Sequence, residues 1–234
     1  MILPCLNWSD LASIEDNCFA DYSKQLIDAL SQTDPFDIYV DGKEIKEIQL
    51  SQEFAASSHT IEPFTLRTHS LKVLSRCFEQ SFYYDISDIL LFNHFALHLA
   101  LHDMGKNLAV IHAGHKRHQH RFTVPIVAHI CTILDLGLVL PLITNLINMD
   151  PIGDFLKGHM SGEATYQKIL EASNLAQLSP KNFYRVLFFY YICDASSYQN
   201  LMKRIFKKEP SGKIVLQEDH LRLKGLRILE QSCQ

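Results

Sequence analysis

Residues 86–106, ISDILLFNHFALHLALHDMGK, decide how this chain is read. Apart from Asn93 and two histidines, every position from Ile89 to Leu101 is apolar, and no proline or glycine interrupts the run. A stretch of that length and composition predicts a helix buried around most of its circumference. Ser87-Asp88 is its expected N-cap and Gly105 its expected stop. His102 and Asp103 then form the last turn, where an imidazole and a carboxylate side by side can face one cavity. His94, His98 and His102 recur every four residues and share a face that drifts along the helix.

The same periodicity continues on both sides. Phe64–Phe82 carries Leu66, Val73, Leu74, Cys77 and Phe78 at helical spacing. After the polar stretch AGHKRHQHR, read as a loop of solvated histidines, Thr123–Leu136 is apolar and stops at Gly137. Pro141–Asn148 and Gly162–Leu175 follow, and Ser179-Pro180 opens a helix through FYRVLFFYYIC. Asp150 and Asp154, beside Pro151 and Gly153, read as turn formers. The first third differs. Ser9–Leu30 predicts one or two helices capped at Ser9-Asp10, and Asp41-Gly42 between two β-favouring runs predicts a hairpin. Residues 51–63 read as a connector. The tail has a short β piece, KIVL, and a last helix from Glu218. The fold class is therefore mostly α, with three segments: an N-terminal extension over 1–60, a helical domain over 61–205, and a tail over 206–234 that packs on it.

Composition narrows the function. A hydrophobic fraction of 47% and a charged fraction of 21% are those of an ordinary globular core. A net charge of −4 argues against a general nucleic-acid binder. The N-terminus lacks a basic signal region, and no apolar run reaches the ~20 residues that span a bilayer. The expectation is a cytoplasmic protein without a membrane partner. Six scattered cysteines with no C-x-x-C pair predict reduced thiols.

His69 in LRTHSLKVL, the His102-Asp103 pair, and Asp194 in FFYYICDASSY lie on three apolar segments that a helical fold can bring together. A carboxylate at the end of a helix as apolar as the last is costly unless it is paired or bound to a cation. In this order and context, with Arg-x-His-Ser leading and H-D-M-G-K at the centre, the sequence resembles the HD superfamily of metal-dependent phosphohydrolases over roughly residues 64–199. The resemblance implies an HD-type helical bundle. It implies His69, His102, Asp103 and Asp194 as ligands of a divalent ion, one of Mn, Fe, Zn, Co, Ni or Mg. The substrate it implies is a phosphate ester of a small nucleotide or related metabolite, attacked by a metal-activated water. Asp103 is then both ligand and proton acceptor. Lys106 either contacts a substrate phosphate or is a solvated helix-end lysine. Arg67 contacts phosphate or braces a carboxylate. His120, then His118, best match a further family histidine. His98 and His94 extend the site or merely line it, and His129 is a weaker candidate.

Two departures narrow the substrate. Met104, Gly105, Lys106 and Asn107 stand where HD proteins that hydrolyse (p)ppGpp carry a further acidic pair. The G-Y-P signature of the cyclic-dinucleotide branch is absent. The alternatives from other classes are a regulatory HD module that holds metal and engages a protein partner, and a di-iron oxygenase using His120 and another histidine. A homodimer is compatible with the sequence.

Overall fold

The computed structural model describes residues 2–59, 62–217 and 223–233. The protein is mostly α, and the described residues add two small antiparallel two-stranded sheets. The chain gathers into two compact units, one made of Met1–Ser75 and Leu91–Asn148, the other of Arg76–Leu90 and Met149–Gln234.

In the first unit a 3₁₀ turn at Trp8–Ala12 leads to α1 (Asp16–Ser31), β1 (Phe36–Val40), β2 (Lys43–Ile48) and α2 (Leu50–Ala55). The predicted hairpin is present. Asp41 and Gly42 take φ of 50° and 76° between the paired Val40 and Lys43, the left-handed pair that a tight two-residue turn requires. Phe36, Ile38 and Val40 alternate inward along β1, and Phe36 stacks on His129 with ring centroids 3.9 Å apart. The segment read as a connector holds α2, whose Leu50 and Phe54 are buried. Two buried apolar positions in a six-residue helix are too short a pattern to register as helical.

Next come α3 (Leu66–Gln80, in this unit as far as Ser75), α4 (Phe92–Leu101), α5 (Lys106–Ala113), a 3₁₀ turn at Lys116–His118, α6 (Gln119–Ile133) and α7 (Leu140–Asn148). Every residue of α4 from Phe95 to Leu101 is buried, as its composition predicts. Asn93, the polar break in that run, is satisfied by the N-terminal segment. Its Oδ1 accepts from the Leu6 backbone N–H at 2.9 Å and the Tyr22 hydroxyl at 3.1 Å.

Both predicted ends of α4 are corrected. Leu91, not Ser87-Asp88, is the N-cap residue. Asp88 instead accepts two hydrogen bonds from the Arg185 guanidinium, each 3.0 Å long, within the second unit. Gly105 does not stop a helix with a left-handed residue. Its φ is −83°, and it stands at the N-cap of α5. Glycine is required there because a Cβ would collide with the Thr123 backbone nitrogen and the Gln119 carbonyl at the start of α6. The polar stretch read as a loop accordingly contains the end of α5, the 3₁₀ turn and the first turn of α6.

In the second unit the last turns of α3 are followed by α8 (Pro151–Lys157), α9 (Gly162–Leu175), α10 (Pro180–Ala195), α11 (Gln199–Ile205), β3 (Phe206–Lys208), β4 (Ile214–Leu216) and α12 (Leu223–Ser232). Asp150 does more than form a turn. It caps α8, accepting from the Gly153 N–H at 2.8 Å. Ser179 caps α10 by accepting from Asn182 N–H at 3.2 Å, as predicted. The predicted KIVL β piece is β4, and Gln80 ties it to α3 by accepting from Ile214 N–H at 2.7 Å. The predicted start of the last helix at Glu218 lies outside the described residues. The six cysteines form no disulfide. Among the described residues no helix is long and apolar enough to cross a membrane.

Candidate metal centre

Three side chains from two segments of the first unit meet in its interior: His69 from α3, and His102 and Asp103 from the turn that closes α4. Their exposures are 0%, 2% and 3%. The atoms that converge are His69 Nε2, His102 Nε2 and Asp103 Oδ2. The two nitrogens are 3.2 Å apart, and the oxygen lies 3.1 Å from the first and 3.5 Å from the second.

Local structure aims each group. His102 Nδ1 is 2.8 Å from the Leu99 carbonyl. A carbonyl only accepts, so Nδ1 carries the hydrogen, and in the neutral ring Nε2 keeps its lone pair toward His69 and Asp103. The His69 ring stacks on Phe64, with centroids 5.7 Å apart and planes 15° from parallel. Ser70 Oγ, one residue on, donates to the Ala100 carbonyl at 3.0 Å and so joins α3 to α4 beside the cluster.

Two further side chains hold the Asp103 carboxylate, one at each oxygen. Lys106 Nζ forms an ion pair with Oδ2, and Gln119 Nε2 donates to Oδ1 at 2.8 Å. Gly105 N–H, in between, donates to Thr123 Oγ1 at 2.9 Å. Burial by itself would push the Asp103 carboxyl up, but the Lys106 ammonium, His102 and His69 together hold it well below the ordinary carboxylate range. Asp103 is therefore an anion at neutral pH, with two imidazoles at its face.

This is a donor set for a cation. Around a divalent ion with metal–nitrogen bonds of ~2.0–2.1 Å, tetrahedral ligand atoms lie about 3.3 Å from one another. The three separations above scatter about that edge length. Two imidazole nitrogens and a carboxylate oxygen suit Zn, Mn, Fe, Co and Ni. Among the described residues this is the group whose ligand atoms all lie within 4.8 Å of one another.

The other sequence candidates have settings of their own. Arg67 Nη2 donates to Asp28 Oδ1 at 2.7 Å, the bracing role of its two readings. Lys106 is 7% exposed, so it is not a solvated helix-end lysine. His98 is fully buried in α4, with Phe95 at 6.1 Å and His102 at 6.5 Å between ring centroids. His118 ends the 3₁₀ turn and is exposed, whereas His120 is half-buried on α6. Burial, then the neighbouring His118, lower the His120 pKa. His94 is half-buried on α4, and His129 is taken up by its stack on Phe36. Asp194 is on α10 of the second unit. Gln119 and Thr123 carry no sequence signal, since one lies in the polar stretch AGHKRHQHR and the other at the start of the apolar run after it. Only the approach of α6 to Gly105 gives them a role.

Searches against protein-family models, curated proteins and solved structures returned no match for the chain.

Proposed function

We propose that His69, His102 and Asp103 hold a divalent metal ion and that the chain is a metal-dependent phosphohydrolase of HD type, cytoplasmic, acting on a small phosphorylated nucleotide or metabolite. The observation that carries this reading is the mutual approach, at 3.1–3.5 Å, of two imidazole nitrogens and an ionised carboxylate in the protein interior. Such a bound cation supplies a Lewis acid that acidifies water and offsets charge on a phosphoryl oxygen. The chain's own residues do the rest. The Leu99 carbonyl fixes the His102 tautomer, Gln119 and Lys106 hold the Asp103 carboxylate in place, and the buried surroundings strengthen each of these interactions. Lys106 has a flexible stem and a point charge suited to a phosphoryl oxygen.

The low exposure of all three residues favours a second reading, in which the ion only ties α3 to α4 in a regulatory module. Elemental analysis of the purified protein, followed by a phosphatase screen across nucleotides with Mn, Co, Ni, Zn and Mg, separates the two. Metal with metal-dependent turnover supports the hydrolase. Metal without turnover on any phosphate ester supports the module, and no metal under any loading condition refutes both. The ligand that the family resemblance adds, Asp194, is tested in the same assay by Asp194→Asn. A tenfold or greater fall in metal affinity supports it, and unchanged affinity removes it.

A further inference from the structure

The second unit holds a cavity of about 530 Å3 whose lining residues all belong to that unit. Sites that take small molecules run from ~300 to ~1,000 Å3. Three aromatic rings contribute to the lining. Tyr184 and Phe188 are one turn apart on α10 and stack, with centroids 5.8 Å apart and planes 7° from parallel. Tyr84 meets Phe188 edge-on, with centroids 6.0 Å apart and planes at 66°.

Charged groups of both signs complete the lining. Lys213 places its ammonium 5.0 Å from the centroid of the Tyr84 ring. Glu209 lies across the β3–β4 turn from it, its N–H donating to the Lys213 carbonyl at 2.8 Å. Arg227 and Glu230 are one turn apart on α12. Among the described residues no ion pair neutralises any of these four side chains. The two tyrosine hydroxyls differ. Tyr84 donates to the Ile214 carbonyl at 2.6 Å. Tyr184 is 5% exposed, yet its hydroxyl has no hydrogen-bond partner among the described residues. A buried tyrosine hydroxyl ordinarily has one. Burial, then the Glu230 charge, push its pKa up, so the group is an O–H donor at physiological pH.

A ligand that satisfies this lining needs a flat ring for the aromatic side chains and an anion for the two cations and the Tyr184 hydroxyl. It also needs N–H donors for the carboxylates. A purine nucleoside monophosphate carries all three in one small molecule, since bases stack on aromatic rings and phosphates take lysine and arginine. We propose that the cavity of the second unit binds a purine nucleoside monophosphate, with the base against the aromatic rings and the phosphate on Lys213, Arg227 and the Tyr184 hydroxyl. This site shares no residue with the metal centre, and it stands whether or not the chain is a phosphohydrolase.

The test is calorimetric titration of the full chain with adenosine 5′-monophosphate, in EDTA so that no metal-dependent turnover intervenes. Adenosine and ribose 5-phosphate each carry half of the chemistry and should bind at least about tenfold more weakly. Tyr184→Phe keeps the ring and removes the donor. It should weaken the monophosphate about tenfold, as loss of a hydrogen bond to a charged group does. Arg227→Met should weaken the monophosphate about tenfold and leave adenosine unchanged. Arg227 is exposed, so this variant decides the site even where Tyr184→Phe folds poorly. Lys181→Met, an exposed change on α10 outside the lining, should bind as wild type does, which controls for net charge. No binding of the monophosphate by the wild-type chain, or wild-type affinity in Arg227→Met, overturns the site. Loss of binding in His102→Ala with Arg227→Met unaffected overturns it as well, by placing the nucleotide at the metal centre.

Discussion

His69 Nε2 and His102 Nε2 lie 3.2 Å apart although 33 positions separate them in the chain. Two imidazole nitrogens that close, with one ring's other nitrogen committed to a carbonyl, leave room for a single shared hydrogen or for a cation. An ionised carboxylate on the same face favours the cation. His69→Ala and His102→Ala should each lower affinity for Zn or Co by about 100-fold or more. Competition with a chromogenic chelator measures this, and wild-type affinity in both variants would refute the centre.

Lys106 sits on the same Asp103 oxygen that faces the imidazoles, so its ammonium and a metal ion compete for that oxygen. Lys106→Met should therefore tighten metal binding, by about tenfold for the removal of one nearby positive charge. If Lys106 also contacts the substrate phosphate, the same variant should turn over phosphate esters more slowly despite its higher metal occupancy. The two readouts move in opposite directions, which a merely unfolded variant would not produce.

Gly105 is pinned between the closing turn of α4 and the first turn of α6, where the atoms opposing an added Cβ are backbone. Gly105→Ala cannot be absorbed by a rotamer change. It should destabilise the protein by about 1–3 kcal/mol. By moving Gln119 and Thr123 it should also weaken metal binding. Urea denaturation and the chelator assay measure the two effects, and an alanine variant as stable as wild type would show that α6 moves aside freely.

Glu53 is a second buried carboxyl of the first unit. It is 6% exposed, with Oε1 accepting from Asn107 Nδ2 at 3.2 Å. Its pKa rises from 4.5 to about 6, chiefly through burial, with the Asn107 bond opposing. The unfolded chain thus ionises first as pH rises. Stability is greatest below pH 4.5 as far as this group is concerned, falls as pH climbs to about 6, and is flat above. Glu53→Gln keeps an acceptor for Asn107 and removes the charge, so it should stabilise the protein at pH 7 by roughly 1–2 kcal/mol and not at pH 4. Urea midpoints at the two pH values check it. An equal shift at both would assign the effect to packing.

Arg67, one of the two cations that the sequence offered for phosphate, spans to Asp28 on a largely exposed surface. Arg67→Ala should cost no more than about 1 kcal/mol, as exposed ion pairs do. It should leave metal affinity and phosphate-ester turnover unchanged. A tenfold loss of turnover would return Arg67 to the site.

The sequence by itself determined the helical class, the Asp41-Gly42 hairpin, the burial of α4 and the pairing of His102 with Asp103. These follow from local periodicity, turn chemistry and adjacency, which a linear chain displays directly. It also singled out His69, but only through resemblance, since nothing local to LRTHSL points toward residues 33 positions away. What the tertiary structure alone decided is who surrounds Asp103. Gln119 and Thr123 read as loop and helix-start residues until α6 packs against Gly105, because hydrogen-bond partners are chosen by the approach of backbones and not by spacing along the chain. The same holds for the ends of α4. Ser87-Asp88 has the composition of a cap, yet Arg185, 97 positions from Asp88, holds that carboxylate.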